Sequence, residues 1–339
     1  MARFLYLTAL AVGSLALNRP CVLPRPSIND TLPGVKASND MFAPGAGGPV
    51  PWPRDRDSKM VVISYCYETE QARNKIHERF EQVAIKDWAD ALGGEPSKTT
   101  GYALKYKERT NADGKPAYCY QHGGSNGQDW NEHLELDTLA IDYQDEPFAA
   151  SASVGFLSDK KTARLNRFVI GRNAIDPNYV HELGHVLGQS HEHQRPDRDD
   201  YVKFECENLA DFEETWDRVK NEPDMTKKRL CEDMGTAWEY GFSSTAFIKG
   251  EGIRHMPDGI DLSWPIYGGS DYDLKSVMHF GSTTGSKSGC TVDKIDNCAL
   301  RKLKTNGDPN GGYEVIHDNN RPSQGDVEWV KSVYPWTKD

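Results

Sequence analysis

The chain has no basic run interleaved with aromatic residues, and its 51 acidic residues outnumber its 40 basic ones, which gives a formal net charge of −11. Nucleic acids and anionic membranes bind proteins through clustered lysine and arginine. The composition therefore argues against a nucleic-acid partner, and we expect most of the acidic side chains to be solvated at the surface.

The chain also lacks a hydrophobic stretch long enough to cross a membrane, which takes about 20 apolar residues. Its most apolar run, residues 4–17, is shorter than that. Arg3 precedes this run and Ser14-Leu15-Ala16 closes it, a pattern typical of a cleaved secretory signal. We predict a signal peptide at residues 1–16 and a secreted, extracellular protein, in preference to a buried N-terminal helix.

Residues 17–58 have little apolar periodicity, and eight of the nineteen prolines fall within 18–58. Such a composition is typical of an extended segment and not of a folded core. In a secreted protein it predicts a pro-segment, so we expect the main folded domain to occupy residues 59–339. The sequence Asn29-Asp30-Thr31 in this segment is a glycosylation sequon.

The seven cysteines include no Cys-x-x-Cys pair, which argues against a cysteine zinc site or a redox motif. Without Cys21, in the predicted pro-segment, six remain, and an even number in a secreted chain indicates three disulfides. Fifteen pairings of these six are possible. We expect neighbours to pair, because two of the resulting bridges close short loops; the pairs are Cys66 with Cys119, Cys206 with Cys231, and Cys290 with Cys298.

The most informative segment, residues 181–191, reads H-E-x-x-H-x-x-G-x-x-H. Residues four apart lie on one helix face, so His181 and His185 point in the same direction. Gly188 suits the end of the helix and allows a turn that brings His191 to the same point. Three protein ligands leave one position open for water, as in a catalytic zinc site. We predict one Zn²⁺ per chain and no further cofactor.

Glu182 directly follows the first of these histidines. A carboxylate beside a zinc-bound water can take its proton as the water attacks a carbonyl, and can return it to the leaving amine. We therefore predict Glu182 as the catalytic base. Asp176 as N-cap and Pro177 as the first helical residue would start this helix.

Several segments together resemble the astacin-like metalloendopeptidases of the metzincin clan. His191 is followed by Glu192, and residues 195–202 resemble the stretch that follows in that family. The segment Ser276-Val277-Met278-His279-Phe280, preceded by Tyr272-Asp273, resembles its Met-turn, while Pro322–Val327 and Tyr334 resemble its last helix. The resemblance implies that Met278 lies beneath the metal and that Glu192 helps to hold the N-terminus created by activation.

Two residues depart from the family pattern. Gln189 stands where an aromatic residue is usual, and Phe280 replaces a tyrosine that binds zinc at rest and donates a hydrogen bond to the oxyanion during turnover. The loss of one oxyanion donor costs about 3–4 kcal/mol in other hydrolases. The resemblance therefore implies weakened but not abolished activity, with Tyr267 and Tyr272 as candidate substitutes.

The predicted fold is an α+β, metzincin-like domain of two lobes, with a twisted, mostly parallel sheet, long helices and a zinc cleft between the lobes. The pattern predicts helices at 68–92, 177–187 and 206–235, and a last helix capped by Ser323 and Asp326. It predicts strands at 60–67, 101–106, 148–156 and 168–171.

The function that this pattern favours is a secreted, zinc-dependent endopeptidase that acts on protein or peptide substrates, and we expect a monomer. A same-class alternative is another metzincin branch. An alternative of a different class is a secreted zinc-binding protein with weak or no turnover, for which Phe280 is the only support and against which Glu182 weighs.

Overall fold

The structure is a computed structural model that describes residues 50–121, 130–157, 165–255, 261–266 and 271–337. The predicted signal peptide, most of the predicted pro-segment and the sequon lie outside these residues. Among the described residues no helix is long and apolar enough to cross a membrane.

A five-stranded sheet forms one side of the fold. Its strands are β1 (Val61–Tyr67), β2 (Leu104–Glu108), β3 (Leu139–Gln144), β4 (Ala150–Ala152) and β5 (Arg167–Gly171), in the order β2-β1-β3-β5-β4. Only β4 is antiparallel to its neighbour. The four predicted strands are present with shifted ends, and β3 was not predicted. The predicted α+β class with a mostly parallel sheet is confirmed.

The predicted helix at 68–92 is present as one continuous helical segment. It comprises α1 (Glu70–Arg79), a π-helical turn (Phe80–Ile85) and α2 (Lys86–Leu92). The Thr69 side chain caps its start by accepting from the Ala72 N–H, and Gly93 ends it with φ at 97°. The indole of Trp88 donates to the Val180 carbonyl at 2.9 Å, which fixes this helix against α3 (Asp176–Leu187).

The second part of the chain has its own apolar core and shorter elements. Its helices are α4 (Phe212–Val219), α5 (Lys227–Glu232) and α6 (Met234–Glu239). Its strands are β6 (Val202–Phe204), β9 (Leu300–Leu303) and β10 (Tyr313–Glu314) in an antiparallel sheet, and the hairpin β7 (Glu251–His255) and β8 (Asp261–Pro265). The last helix, α7 (Gln324–Val333), packs instead in the main core through Val327, Trp329 and Val330. The prediction of continuous helix over 206–235 is wrong. Pro223 interrupts the pattern, and the side chains of Thr226 and Asp233 each cap a new helix.

Residues 50–54, which the composition assigned to the pro-segment, pack onto the domain. Trp52 is buried in the main core, and its indole donates to the Val186 carbonyl near the end of α3 at 2.7 Å. The Val50 carbonyl accepts from the Phe156 N–H at 2.7 Å. This short segment therefore supports the C-terminal end of α3.

Three disulfides join the predicted neighbours: Cys66 with Cys119, Cys206 with Cys231, and Cys290 with Cys298. The first bridge ties the long connection after β2 to strand β1, which lies between β2 and β3 in the sheet. The other two close short loops in the second part of the chain, as expected.

Candidate active site

The helix that carries the histidine motif begins one residue earlier than predicted. Ile175 takes the N-cap position, and Asp176 is the first helical residue and pairs with Arg79. The predicted N-cap at Asp176 is wrong because the Asn178 side chain caps from inside the helix, accepting from the Ile175 N–H at 2.9 Å. Gly188 ends the helix with φ at 112°, as predicted.

The three motif histidines meet at one point. One ring nitrogen each from His181, His185 and His191 lies within 4.8 Å of the others, and all three side chains are buried. The Nε2 atoms of His185 and His191 are 3.1 Å apart. Two nitrogens bound to one tetrahedral zinc would be roughly 3.3 Å apart, so this spacing suits a shared ion.

Each of these imidazoles has its other nitrogen engaged by an oxygen. The Nδ1 atom of His181 lies 2.8 Å from the Val277 carbonyl, that of His185 lies 2.7 Å from the Gln189 carbonyl, and that of His191 lies 2.8 Å from Gln194 Oε1. An imidazole facing such an acceptor carries its proton on Nδ1, which leaves the Nε2 lone pair for a metal.

The rings are neutral at pH 7. Burial lowers the pKa of His181 to about 4 and lowers the pKa values of His185 and His191 well below the ordinary value. With Nδ1 protonated, the contact between the Nε2 atoms of His185 and His191 joins two lone pairs and is not a hydrogen bond. The Nε2 atom of His181 has no hydrogen-bond partner among the described residues. Three converging neutral nitrogens form a donor set that fits zinc.

Glu182 lies on α3 beside this donor set and is fully buried. Its carboxylate is therefore not a solvated surface group. The structure thus removes the ordinary alternative for a helical glutamate.

Met278 lies against the underside of α3. A Cβ atom added to Gly184 would collide with its Sδ atom, so the absence of a side chain at 184 allows this close approach. Met278 is fully buried, and its carbonyl accepts from the Glu192 N–H at 3.1 Å. The segment predicted as a Met-turn is therefore in contact with the motif helix.

A buried carboxylate that the sequence suggested only as a helix cap also supports this segment. Asp326 accepts hydrogen bonds from Val277 N at 2.8 Å, Ser276 Oγ at 2.6 Å, Ser323 N at 2.8 Å and Gln189 Nε2 at 3.3 Å. Val277 and Gln189 are the residues whose carbonyls face His181 and His185. One carboxylate therefore holds the supports of two of the three histidines.

Phe280 packs directly on the histidine cluster. Its ring centroid is 4.3 Å from that of His191 and 5.7 Å from that of His181. Its ring centroid also lies 4.4 Å from that of His193, a buried histidine that the motif did not indicate. His193 was missed because it lies outside the ligand spacing. Its Nδ1 faces the Phe280 N–H at 3.3 Å and its Nε2 the Ala246 carbonyl at 2.8 Å, as expected of a structural histidine.

The tyrosines considered as substitutes for the family tyrosine do not fill its place among the described residues. The Tyr272 hydroxyl lies 2.8 Å from His279 Nε2, and its ring stacks on Tyr201. Tyr267 lies outside the described residues. Phe280 therefore faces the histidine cluster with no phenolic hydroxyl supplied by Tyr272.

Glu192 is buried and held by its neighbours. Its Oε1 atom accepts from Arg195 Nη1 at 2.9 Å and from Asp273 N at 2.7 Å. These bonds join the residue after the third histidine to the segment that leads into the Met-turn. The contact between Glu192 and a new N-terminus remains a prediction, because residues 1–49 lie outside the described chain.

Comparisons with known proteins agree with the site. Residues 148–252 match the family model described as Astacin, a peptidase family. The chain is 36% identical over 107 residues to the low choriolytic enzyme of Oryzias latipes, which covers 30% of this chain and 35% of that protein. It is 30% identical over 155 residues to bone morphogenetic protein 1 of Xenopus laevis, covering 46% of this chain and 15% of that protein. The chain thus spans about a third or less of the length of these curated relatives.

Among solved structures, the chain is similar to high choriolytic enzyme 1, a hatching enzyme zinc-protease from Oryzias latipes. The TM-score is 0.44 with 16% identity, over 84% of this chain and 94% of that one. The family match over residues 148–252 and the identities to these relatives confirm the predicted astacin-like resemblance.

Proposed function

We propose that this chain, which carries an astacin-like segment at residues 148–252, is a zinc-dependent endopeptidase that acts on protein or peptide substrates. The observation that carries the proposal is the buried convergence of three Nε2 lone pairs, each fixed by an acceptor on Nδ1, with a buried carboxylate at the next residue. In this proposal His181, His185 and His191 are the metal ligands.

A zinc ion bound there would lower the pKa of a water molecule and polarise the scissile carbonyl. Glu182 takes the proton of the attacking water and delivers it to the leaving amine. The Val277 and Gln189 carbonyls hold the imidazoles in the tautomer that ligation needs. Phe280 excludes water from one side of the cluster but donates no hydrogen bond to the oxyanion, so we expect turnover below that of an otherwise equal site with a tyrosine.

We further propose that the protein is secreted after removal of residues 1–16 and that it acts as a monomer. The predicted signal peptide and three disulfides support an extracellular location. Because Trp52 is part of the core, we place the start of the folded domain at or before Val50, and any activating cleavage upstream of it. N-terminal sequencing of the secreted protein tests both boundaries, and a mature terminus beyond Trp52 contradicts the second.

A casein digestion assay tests the activity. The purified, zinc-loaded chain should digest casein, and a strong chelator should stop digestion until zinc is returned. Glu182→Gln should abolish activity while keeping zinc, whereas Glu213→Gln, the same chemical change at an exposed position on α4, should leave activity unchanged. Absence of activity in correctly processed, zinc-loaded protein would favour the alternative, a secreted zinc-binding protein without turnover, for which Phe280 is the supporting observation.

A further inference from the structure

A pocket of about 280 Å³ opens beside the candidate metal centre. The first turn of α3 and the ring of His181 form one side, and the chain around Phe280 and the segment 318–320 form the other. Among the lining residues are Pro177, Asn178, His181, Phe280, Thr283 and Asp318. A peptide bound with its scissile carbonyl at the metal would place a neighbouring side chain at this pocket.

Asp318 occupies a fixed position in the pocket wall. Two hydrogen bonds join Ile316 to Ser282. The Ile316 N–H donates to Ser282 Oγ at 2.8 Å, and the Ser282 N–H donates to the Ile316 carbonyl at 2.9 Å. The Asn319 amide donates to the Leu274 carbonyl at 2.9 Å and the Ser276 carbonyl at 3.0 Å. The residues on both sides of Asp318 are thus tied to the segments that flank Phe280.

The Asp318 carboxylate lies against Gly281, where any added Cβ atom would collide with Oδ1. Glycine at 281 therefore leaves room for this carboxylate beside Phe280. Within the described part of the chain, Asp318 makes no hydrogen bond or ion pair, so its acceptors are available to a ligand.

Asp318 is the only acidic residue among the described residues that line the pocket, and no lysine or arginine is among them. The lining also includes two histidines, His181 and His279. The remaining lining is apolar or carries neutral amides and hydroxyls. A cationic side chain gains a charge-assisted hydrogen bond here, whereas an acidic one meets like charge.

We propose that this pocket is a substrate subsite for an arginine or lysine side chain and that Asp318 is its specificity-determining residue. The inference rests on the proposed endopeptidase function. Because Asp318 is itself exposed, its contribution is that of a solvated ion pair, so we expect roughly a two- to fivefold preference for a cationic side chain over a neutral one of the same shape.

The test begins with a peptide library, which identifies the position next to the scissile bond where arginine or lysine is enriched. Three fluorogenic peptides then differ only there, carrying arginine, its neutral isostere citrulline, or glutamate. The wild type should show kcat/KM in the order arginine, citrulline, glutamate. Asp318→Asn should bring the arginine-to-citrulline ratio close to one, and Asp318→Lys should favour glutamate.

The exposed Asp293 supplies a matched control, because Asp293→Asn makes the same change in net charge away from the pocket and should keep the wild-type ratio. A wild type that digests casein but shows no arginine preference, or an Asp318→Asn variant with an unchanged ratio, overturns the subsite and leaves the peptidase proposal intact.

Failure of the peptidase proposal shows itself differently, as no cleavage of any peptide or of casein. The binding constants of the arginine and citrulline peptides to zinc-loaded Glu182→Gln protein then test the pocket without turnover. Equal binding of the two peptides rejects the subsite. Tighter binding of the arginine peptide supports the subsite if Asp318→Asn abolishes the difference between the two peptides.

Discussion

Asp326 offers a direct way to test how the histidine cluster is held. Its two carboxylate oxygens accept four hydrogen bonds, from Ser276, Val277, Ser323 and Gln189. Each of the two oxygens accepts from two donors. In Asp326→Asn an NH₂ group replaces one oxygen and faces two of these donors in either orientation of the amide. A hydrogen bond to a charged group contributes about 1.5–3 kcal/mol and a neutral one about 1 kcal/mol. We therefore expect a loss of about 2–3 kcal/mol in unfolding free energy.

The consequence for the metal follows from two of those bonds. Val277 and Gln189 present the carbonyls that fix His181 and His185, so loosening their support frees two imidazoles to rotate. Changes in such outer partners usually weaken metal binding by about 10- to 100-fold. We expect a shift of that size in the zinc dissociation constant, measured by competition with a chromogenic chelator, together with a matching loss of zinc during dialysis.

Ser323→Ala is the matched control for this prediction. It removes the side-chain cap of α7, which accepts from Asp326 N at 3.0 Å, and should cost about 1 kcal/mol of stability without touching Val277 or Gln189. Its zinc affinity should equal that of the wild type. The reasoning is refuted if Asp326→Asn lowers the melting temperature but leaves zinc affinity unchanged, because Asp326 would then serve only the helix.

Three other perturbations probe the oxyanion side, the N-terminal segment and the buried histidines. Phe280→Tyr should preserve or raise casein hydrolysis, because it restores a hydroxyl beside the cluster, and a strong loss at unchanged zinc content would contradict this placement. Trp52→Phe should lower the free energy of unfolding in urea by about 1–2 kcal/mol, because the buried Val186 carbonyl loses its hydrogen-bond donor. Trp52→Ala should lower it by about 3–5 kcal/mol, because it also removes a large buried ring. Near-wild-type stability of both variants would show that the segment is dispensable. In the metal-free folded protein, burial lowers the pKa of His181 and of His279 to about 4, whereas an unfolded histidine takes up a proton near pH 6.5. The free energy of unfolding should therefore fall by about 2 kcal/mol per histidine as the pH falls from 6.5 to 5. A urea midpoint that stays constant over this pH range would contradict the burial of these two histidines.

The elements that local chemistry specifies were predictable from the sequence. The helix ending at Gly93 and the last helix starting at Ser323 have strong end signals, and both ends are where the pattern placed them. Strand β3 was missed because its outer half, which includes Asp142, alternates poorly and its burial comes from lying between β1 and β5. That neighbourhood is a tertiary property, which a local pattern does not carry.

The candidate site likewise has one part that the sequence predicted and another part that it did not. The ligand spacing predicted the convergence of His181, His185 and His191, because helix geometry and one glycine determine it. The bonds from Asp326 to Val277 and Gln189 join residues 49 and 137 positions apart, so no short motif could indicate them. The pocket containing Asp318 likewise depends on how distant loops are tied together.

Because short motifs and distant contacts determine different parts of the site, an astacin-like motif can lie in a site whose surrounding residues differ from those usual in that family. The local motif determines where the three histidines and Glu182 lie, whereas contacts between distant segments determine what surrounds them. At Phe280 a contact of 4.3 Å with the His191 ring brings apolar carbon where a donor is expected, and at Asp318 a free carboxylate adds charge to the neighbouring pocket. The first change acts on the transition state and should lower kcat for every substrate. The second acts on one substrate side chain and should change kcat/KM only between substrates. Kinetics of Phe280→Tyr and Asp318→Asn on the same peptide pair should therefore differ in kind: Phe280→Tyr should change kcat for both peptides, and Asp318→Asn should change the ratio of their kcat/KM values. Because both residues line one pocket, the double variant measures the coupling between them.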